Sequence, residues 1–108
     1  MPNELPLSGL EQPVRNEIIA VGTASQVIAE YRNVENPRKM ILVRNTSDDP
    51  TKIITVHLGP EVAVANAGIV LQQNESFSDS SENVYLAHQG TITAISAVAA
   101  SQLSITER

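Results

Sequence analysis

Turn-forming residues interrupt this chain about every 8–12 residues from residue 14 onward, a spacing typical of all-β domains. Between the turns lie short runs rich in Val, Ile and Thr, whose branched side chains pack well on a pleated sheet. A strand of usual length fits between neighbouring turns, whereas a long helix does not. The spacing therefore predicts a domain built from short strands.

The runs between the turns predict the positions of the strands. They lie near residues 15–21, 24–31, 39–45, 52–58, 68–71, 75–79, 83–88, 91–98 and 102–106. Gly22-Thr23, between the first two runs, predicts a tight hairpin, because glycine accepts the positive φ that such turns require. Residues 40–43 are apolar on both faces, which predicts a strand covered on both sides. The alanines within 94–100 would also suit a helix, so strand and helix both stay open there.

About eight antiparallel strands over residues 14–108 fit two packed sheets. We therefore expect a single all-β domain, an antiparallel two-sheet β-sandwich with a jelly-roll-like arrangement. The sequence contains only two Tyr, one Phe and no Trp, so small and branched side chains must fill its core. Such side chains suit two sheets that pack closely together.

Residues 1–13 are interpreted as an extended N-terminal arm. Pro2, Pro6 and Pro13 forbid a continuous helix, and each removes a donor from any strand ladder. Three leucines nevertheless give this segment apolar side chains that a solvent linker would not need: Leu5, Leu7 and Leu10. Two interpretations stay open, a tail packed across its own domain or an arm that docks on a neighbouring subunit, with these leucines as the partner-binding residues.

Composition and charge exclude several classes of protein. Because the chain has no cysteine, it can form no disulfide, no thiolate metal site and no cysteine nucleophile. Its net charge of −5 argues against nucleic acid as a partner. No apolar run approaches the ~18 residues of a membrane-spanning helix, and the N-terminus lacks the pattern of a secretory signal. We expect neither a nucleic acid nor a membrane as partner.

The residues that could carry chemistry do not form a known catalytic or metal-binding pattern. His57 and His88 would need a third ligand close to one of them in the sequence, and none is there. Asp48-Asp49-Pro50 lacks the alternating ligands and closing Glu of a calcium loop and is typical of a β-turn. There is no nucleophile elbow and no phosphate-binding glycine loop. We expect no enzymatic activity, no cofactor and no metal.

From Ile41 onward, the chain follows a recurrent frame: a strand ending in an Asn-Thr turn, a strand closing on glycine, and a small apolar stretch. A Gly-Ile-x-Leu strand, a polar turn with Glu, an aromatic strand and a final Leu-Ser-x-x-Glu complete it. The elements are Arg44-Asn45-Thr46, Ile53 to Gly59, Val62 to Ala65, Gly68 to Leu71, Asn74 to Phe77, Val84-Tyr85-Leu86 and Leu103 to Glu107. This frame covers about two-thirds of the chain and resembles that of small accessory proteins of tailed-phage virions, namely head-decoration, head-fibre and adaptor-like β-domains. Gln73-Asn74 departs from it, because Pro-Gly is usual before that Glu.

The resemblance implies a non-enzymatic structural protein of a virion, made in the host cytoplasm, which binds and reinforces a capsid or tail lattice. The expected partners are a major capsid or tail protein and further copies of the chain in a symmetric homo-oligomer such as a trimer. A second hypothesis is an extracellular module, on a virion or a larger protein, that binds a glycan or receptor. A glycan site generally needs exposed aromatic side chains, of which this chain has few.

Overall fold

A computed structural model describes residues 14–108 of the chain. This part is all-β, and no helix in it is long and apolar enough to cross a membrane. Its eight strands are β1 (Arg15–Val21), β2 (Gln26–Ala29), β3 (Met40–Asn45), β4 (Ile54–Leu58), β5 (Ile69–Leu71), β6 (Ser76–Ser80), β7 (Ile92–Ser96) and β8 (Ser101–Glu107).

The strands form two four-stranded antiparallel sheets. The front sheet has the order β1-β8-β3-β6, and the back sheet has the order β2-β7-β4-β5. The pairs β1–β8, β2–β7, β3–β6 and β4–β5 are those of one long hairpin rolled into two layers. This strand order is that of a jelly roll, so the predicted two-sheet, jelly-roll-like sandwich is confirmed.

Consecutive strands run in opposite directions, so their connections alternate between the two ends of the sandwich. At one end, which we call the loop end, lie the connections 30–39, 59–68 and 81–91 and the start of β1. The shorter connections 22–25, 46–53, 72–75 and 97–100 lie at the opposite end. The longest loops of the described chain therefore gather at one end.

The core lies between the sheets and consists of aliphatic side chains, as the composition predicts. Alternation along β8 buries Leu103 and Ile105 while Gln102 faces solvent. Phe77 of β6 packs against the core at its edge. The buried core residues are Val21, Ile28, Ala29, Ile41, Val43, Ile54, Val56, Leu71, Ile92, Ala94, Leu103 and Ile105.

The opposite end of the sandwich is closed by Asn45, the last residue of β3, whose side chain is fully buried. Its amide nitrogen donates to the carbonyl oxygens of Lys52 (2.8 Å) and Leu71 (2.9 Å), and its amide oxygen accepts from the Ser47 N–H at 3.0 Å. Lys52 precedes β4, and Leu71 ends β5, its neighbour in the back sheet, so one side chain of the front sheet joins the two sheets. Because its polar groups are paired, Asn45 can lie in the core without the cost of an unsatisfied amide.

Two expectations about strand positions were wrong. The run 83–88 is a loop, in which Val84 and Leu86 are exposed and a single bridge joins Glu82 to Tyr85. No neighbouring strand is available to pair with this run, so its alternation does not produce a ladder. Gly22-Thr23 is a short turn, but it joins β1 of the front sheet to β2 of the back sheet and is not a hairpin.

Two other segments differ in detail from the expectation. In β3, Ile41 and Val43 are buried, whereas Met40 and Leu42 are only partly buried on the outer face of the front sheet. The strand is therefore covered on one side by the core and only in part on the other. Residues 94–100 are a strand as far as Ser96 and then a turn, so the alanine run forms no helix.

Ala100, in the turn between β7 and β8, has a φ of 63°, in the left-handed region that disfavours residues with a Cβ. We predict that Ala100→Gly raises the free energy of unfolding by about 0.5–1 kcal/mol, because relief of this strain exceeds the entropy that glycine adds to the unfolded chain. Urea denaturation would measure the change.

The matched control is Ala99→Gly, one residue earlier in the same exposed turn and without the positive φ. It should lower stability slightly or leave it unchanged. Equal effects of the two substitutions would contradict the strain at Ala100.

Candidate functional site: a buried ion pair beneath two apolar loops

The loop end is closed by Arg38, whose side chain has no solvent exposure. Its Nε donates to Glu107 Oε2 at 2.7 Å, and one terminal nitrogen donates to the carbonyl oxygens of His88 (2.5 Å) and Gly90 (3.1 Å). The other terminal nitrogen donates to the carbonyl oxygen of Glu30 at 2.6 Å. Planar guanidinium donors thus meet one carboxylate and three carbonyls, an arrangement that a lysine could not reproduce.

Glu107 is the acidic member of this cluster and is nearly as buried as Arg38. Its second oxygen accepts from Arg15 at 3.1 Å, and Arg32 Nε lies 3.5 Å from the oxygen shared with Arg38. Burial by itself would raise the pKa of the Glu107 carboxyl, but the hydrogen bonds from Arg38 and Arg15 outweigh it and lower that pKa. The carboxylate is therefore charged at neutral pH, as its partners require.

The Arg38–Glu107 pair ties the 30–39 and 81–91 loops to both sheets. Glu107 ends β8 of the front sheet, while the carbonyls that Arg38 binds follow β2 and precede β7 of the back sheet. Further hydrogen bonds join the loops directly: Arg32 N–H to Gln89 O (2.7 Å), Arg38 N–H to Gln89 Oε1 (2.6 Å), and Ser81 N–H to Lys39 O (2.8 Å). The two loops form one hydrogen-bonded unit, which we call the loop platform (residues 30–39 and 81–91).

The loop platform presents large apolar side chains to solvent. Val34 is 94% exposed and Val84 is fully exposed, and each lies at a loop tip. Tyr31, Tyr85 and Leu86 are each more than half exposed. Five large apolar side chains on two hydrogen-bonded loops give this end of the sandwich an apolar surface that another molecule can cover.

Local hydrogen bonds fix the shape of both tips. The Asn33 side chain accepts from the N–H groups of Glu35 and Asn36, each at 3.0 Å, which closes the first tip. In the second, Asp79 accepts from the Tyr85 hydroxyl (2.8 Å) and the His88 N–H (2.9 Å). The bond to Asp79 raises the pKa of the Tyr85 hydroxyl. A preorganised surface loses little conformational entropy when a partner binds.

Three exposed carboxylates lie on the same two loops as the apolar tips. Glu30, Glu35 and Glu82 are exposed, and none of them forms an ion pair within residues 14–108. Of the three cations of these loops, Arg32 and Arg38 face Glu107, while Lys39 lies at the end of its loop next to β3. The tips therefore carry apolar groups together with negative charge.

The two histidines have separate partners. His57 Nε2 lies 3.1 Å from Glu61 Oε1, and this hydrogen bond lowers the pKa of the Glu61 carboxyl. His88 Nε2 lies 3.3 Å from the carbonyl oxygen of Thr91. In the described part of the chain, no three His, Asp or Glu side chains are grouped so that they could hold a metal ion.

Asp48 and Asp49 form the predicted turn. Asp49 accepts hydrogen bonds from the Thr51 N–H (2.8 Å) and hydroxyl (2.6 Å), while Asp48 pairs with Lys52 Nζ at 2.8 Å. Both carboxylates are directed to partners within the turn, and their pKa values are lowered by the hydrogen bonds from Lys52 and Thr51. The turn is held by its own side chains.

Leu5, Leu7 and Leu10, the predicted partner-binding residues of the arm, lie outside the described residues. The residues that build the loop platform were missed at the sequence level. A signal for Glu107 was present, because it follows Leu103 and Ile105 in the alternation of β8 and so points inward, where a carboxylate needs a partner. For Arg38, the sequence shows only a cation after Pro37, and nothing indicates its burial.

The lowered pKa of Glu107 gives stability a definite dependence on pH. A carboxyl whose pKa is lower in the folded chain than in the unfolded chain stabilises the fold fully at pH values above the unfolded pKa, which is about 4.3 for Glu. This stabilisation is lost as the pH falls through the pKa of the folded chain. At pH 7, Glu107→Gln should cost about 3–5 kcal/mol, because it leaves Arg38 buried without a countercharge. Below about pH 4.3, the difference in the free energy of unfolding between the variant and the natural chain should become smaller. Urea denaturation at a series of pH values from 7 to 2.5 would measure it.

Glu82→Gln, at an exposed loop tip, is the matched control and should change stability by no more than about 0.5 kcal/mol at pH 7. A Glu107→Gln chain as stable as this control at pH 7 would contradict the role of the buried pair.

We predict that His57→Gln combined with His88→Gln lowers stability by no more than ~1–2 kcal/mol, because each ring makes one peripheral hydrogen bond. Titration calorimetry with zinc, manganese and iron should detect no tight stoichiometric site in the natural chain. A stoichiometric metal that is lost in the double variant would show that the histidines are ligands.

The chain was compared with protein-family models, curated proteins and solved structures, and none of the three comparisons found a match. The jelly-roll assignment therefore depends on the order and pairing of the strands alone.

Proposed function

We propose that this chain is a non-enzymatic structural subunit of a virion that binds other protein subunits through its loop platform and reinforces a capsid or tail lattice. The observation that carries the proposal is the set of five exposed apolar side chains on two loops that a buried ion pair holds in place. Such loops bind the surface of another protein and do not require a cleft in this chain.

The construction of the platform supports protein binding over catalysis. An interface usually has an apolar centre with large side chains and a polar rim, and here the tyrosines and aliphatic side chains are accompanied by three glutamates. The acidic groups favour a partner that carries basic residues, because complementary charge increases the rate and specificity of association. Such a partner could be a capsid or tail subunit with Lys or Arg around an apolar hollow.

The fold is consistent with this role. Jelly rolls occur in viral capsid proteins, and structural, glycan-binding and enzymatic proteins share the fold. The assignment to a tailed-phage virion comes from the resemblance of residues 41–107 to the accessory proteins of such particles. It is part of the proposal.

Glycan binding is the second candidate, because both tyrosines of the chain are exposed on the platform. Tyr31 and Tyr85 could provide the aromatic faces on which sugars stack. The hydroxyl of Tyr85 already donates to Asp79, which fixes the orientation of that ring. The two candidates differ in the partner, so one binding experiment separates them.

We predict that purified virions of the encoding phage bind the fluorescently labelled chain saturably, at a copy number set by the symmetry of the particle. Val84→Asp should weaken this binding at least about tenfold, because a buried interfacial carboxylate is costly, and should leave the thermal unfolding transition unchanged. Co-sedimentation with virions would give the affinity, and cryo-microscopy would show density at symmetric positions.

The control is Val62→Asp, the same substitution at an exposed valine of the 59–68 loop, where the neighbouring Ala63 N–H donates to Ser25 Oγ (2.8 Å) in the 22–25 connection at the opposite end. It should bind as the natural chain does. Equal weakening by both variants, or no saturable binding to virions, would contradict the proposal. Binding to purified surface glycans that Tyr31→Ala abolishes would favour the second candidate instead.

A further inference from the structure

We propose that the outer face of the front sheet is the docking site for residues 1–13 of a second copy of this chain, so that the chain assembles into a closed homo-oligomer by exchange of its arms. The inference uses a surface that meets the loop platform only at Lys39 and Ser81, and it does not require that the partner of the platform be known.

The outer face of the front sheet is defined by three rows of residues that the strand register places side by side. Ile18, Ser104, Arg44 and Ser76 form one row, and Asn16, Thr106, Leu42 and Ser78 form the next. The third row, nearest the loop end, consists of Val14, Arg108, Met40 and Ser80, which with Lys39 and Ser81 line a groove of about 320 Å³. Small hydroxyl side chains make much of this face flat.

Apolar groups lie open on this face. Ile18 is 70% exposed, in the middle of the edge strand β1. Val14 is also exposed, and Met40 and Leu42 are only partly buried. No segment of residues 14–108 covers them. A partner with aliphatic side chains would remove this surface from water.

The outer face of the back sheet differs, because the chain covers part of it. The 59–68 loop folds over it, with hydrogen bonds from the Thr93 hydroxyl to Glu61 O (3.1 Å) and from the Asn66 N–H to the Thr55 hydroxyl (3.0 Å). Thr55 and Thr93 are buried as a result. Of the two outer faces, the front one lacks such a cover within the described chain.

The charge of the front face is positive in a chain whose net charge is −5. Within residues 14–108, Lys39, Arg44 and Arg108 are the lysines and arginines that form no ion pair, and all three lie on this face or at its edge. The three rows contain no acidic residue. The face therefore combines uncompensated positive charge with exposed aliphatic groups.

Residues 1–13 have the complementary chemistry. They contain Glu4 and Glu11, no Lys or Arg, and the leucines Leu5, Leu7 and Leu10. Thirteen residues span up to about 40 Å when extended, whereas four strands spaced at about 4.8 Å give a face roughly 15 Å wide. The segment is long enough to cross the face with its leucines on the apolar groups and its glutamates near the cations.

A second copy fits this arrangement better than the same chain. β1 begins at the loop end and runs towards the opposite end, so an arm of the same chain would have to reverse its direction next to Val14 in order to lie on this face. A neighbouring copy can receive the segment without a reversal of the chain. When each copy gives an arm and receives one, the contacts close on themselves and assembly stops at a defined size.

Sedimentation velocity of the full-length chain tests the inference first. The natural chain should sediment as a single oligomer at low salt and dissociate as ionic strength rises, because the contact includes exposed charge. Leu7→Asp should weaken association at least tenfold without changing the thermal transition of the domain. Arg44→Gln should also weaken it, whereas the control Lys52→Gln, which removes a cation at the opposite end, should not.

A charge-exchange pair separates contact between copies from contact within one chain. Glu4→Lys with Glu11→Lys makes the arm basic, and Lys39→Glu with Arg44→Glu makes the face acidic. Each double variant alone should be monomeric, because its arm and face then carry the same charge. Mixed one to one, the two should associate with each other, since both arm–face contacts between unlike copies become complementary again.

Every other result overturns the inference. A natural chain that is monomeric at all concentrations rules out exchange, and an oligomer that Leu7→Asp leaves intact forms through another surface. Two double variants that stay monomeric when mixed would show that the arm does not recognise the face of a second copy. None of these outcomes bears on the binding of virions through Val84, so the two proposals can fail independently.

Discussion

The buried pair of Arg38 and Glu107 is the interaction on which the functional end of this molecule depends. Each charge would be costly in the core alone, so each requires the other and the carbonyl groups around them. Those carbonyls belong to the backbone that follows β2 and precedes β7, and the pair therefore fixes where both loops leave the sandwich. At the opposite end, Asn45 joins the sheets through neutral hydrogen bonds, and the connections there are short. The end with the long loops is thus closed by a buried ion pair, and the end with the short turns is closed by neutral hydrogen bonds.

The fold could be predicted from the sequence to a large extent, because β-branched runs and turn residues record where strands begin and end. Alternation along β8 and the position of the glycine and asparagine turns locate most strands within two residues. The prediction of a strand at residues 83–88 was wrong, because alternating residues form a strand only when another strand lies beside them. Whether one does is a property of the tertiary structure. The candidate site was harder to predict, since the burial of Arg38 depends on Glu107, a residue far away in the sequence. Whether Val84 and Leu86 belong to a core or to a surface likewise depends on the topology.

Charge is separated over the surface in a way that the composition does not reveal. Within residues 14–108, the tips of the platform carry glutamates, while the front face carries Arg44 and Arg108, with Lys39 where the two surfaces meet, and its three rows contain no acidic residue. A chain of this kind attracts opposite charges at two places, so it can bind a basic partner at its loop end and an acidic segment on its front sheet. The structural role that we propose uses the first surface for a lattice and the second for further copies. In this proposal, both surfaces recognise their partners by shape and charge.

Hydrogen exchange measured by NMR tests most directly the claim that the buried pair holds the loop platform. In the natural chain, the amides of Arg32, Arg38 and Ser81 should exchange about as slowly as core amides of β3 and β8, because their acceptors lie within the fixed loops. In the chain with Arg38→Met and Glu107→Leu, both charges are replaced by apolar groups, so the sandwich should still fold. The account predicts that the three loop amides then lose most of their protection while the core amides keep theirs. Unchanged protection of Arg32 and Ser81 in a folded double variant would contradict it.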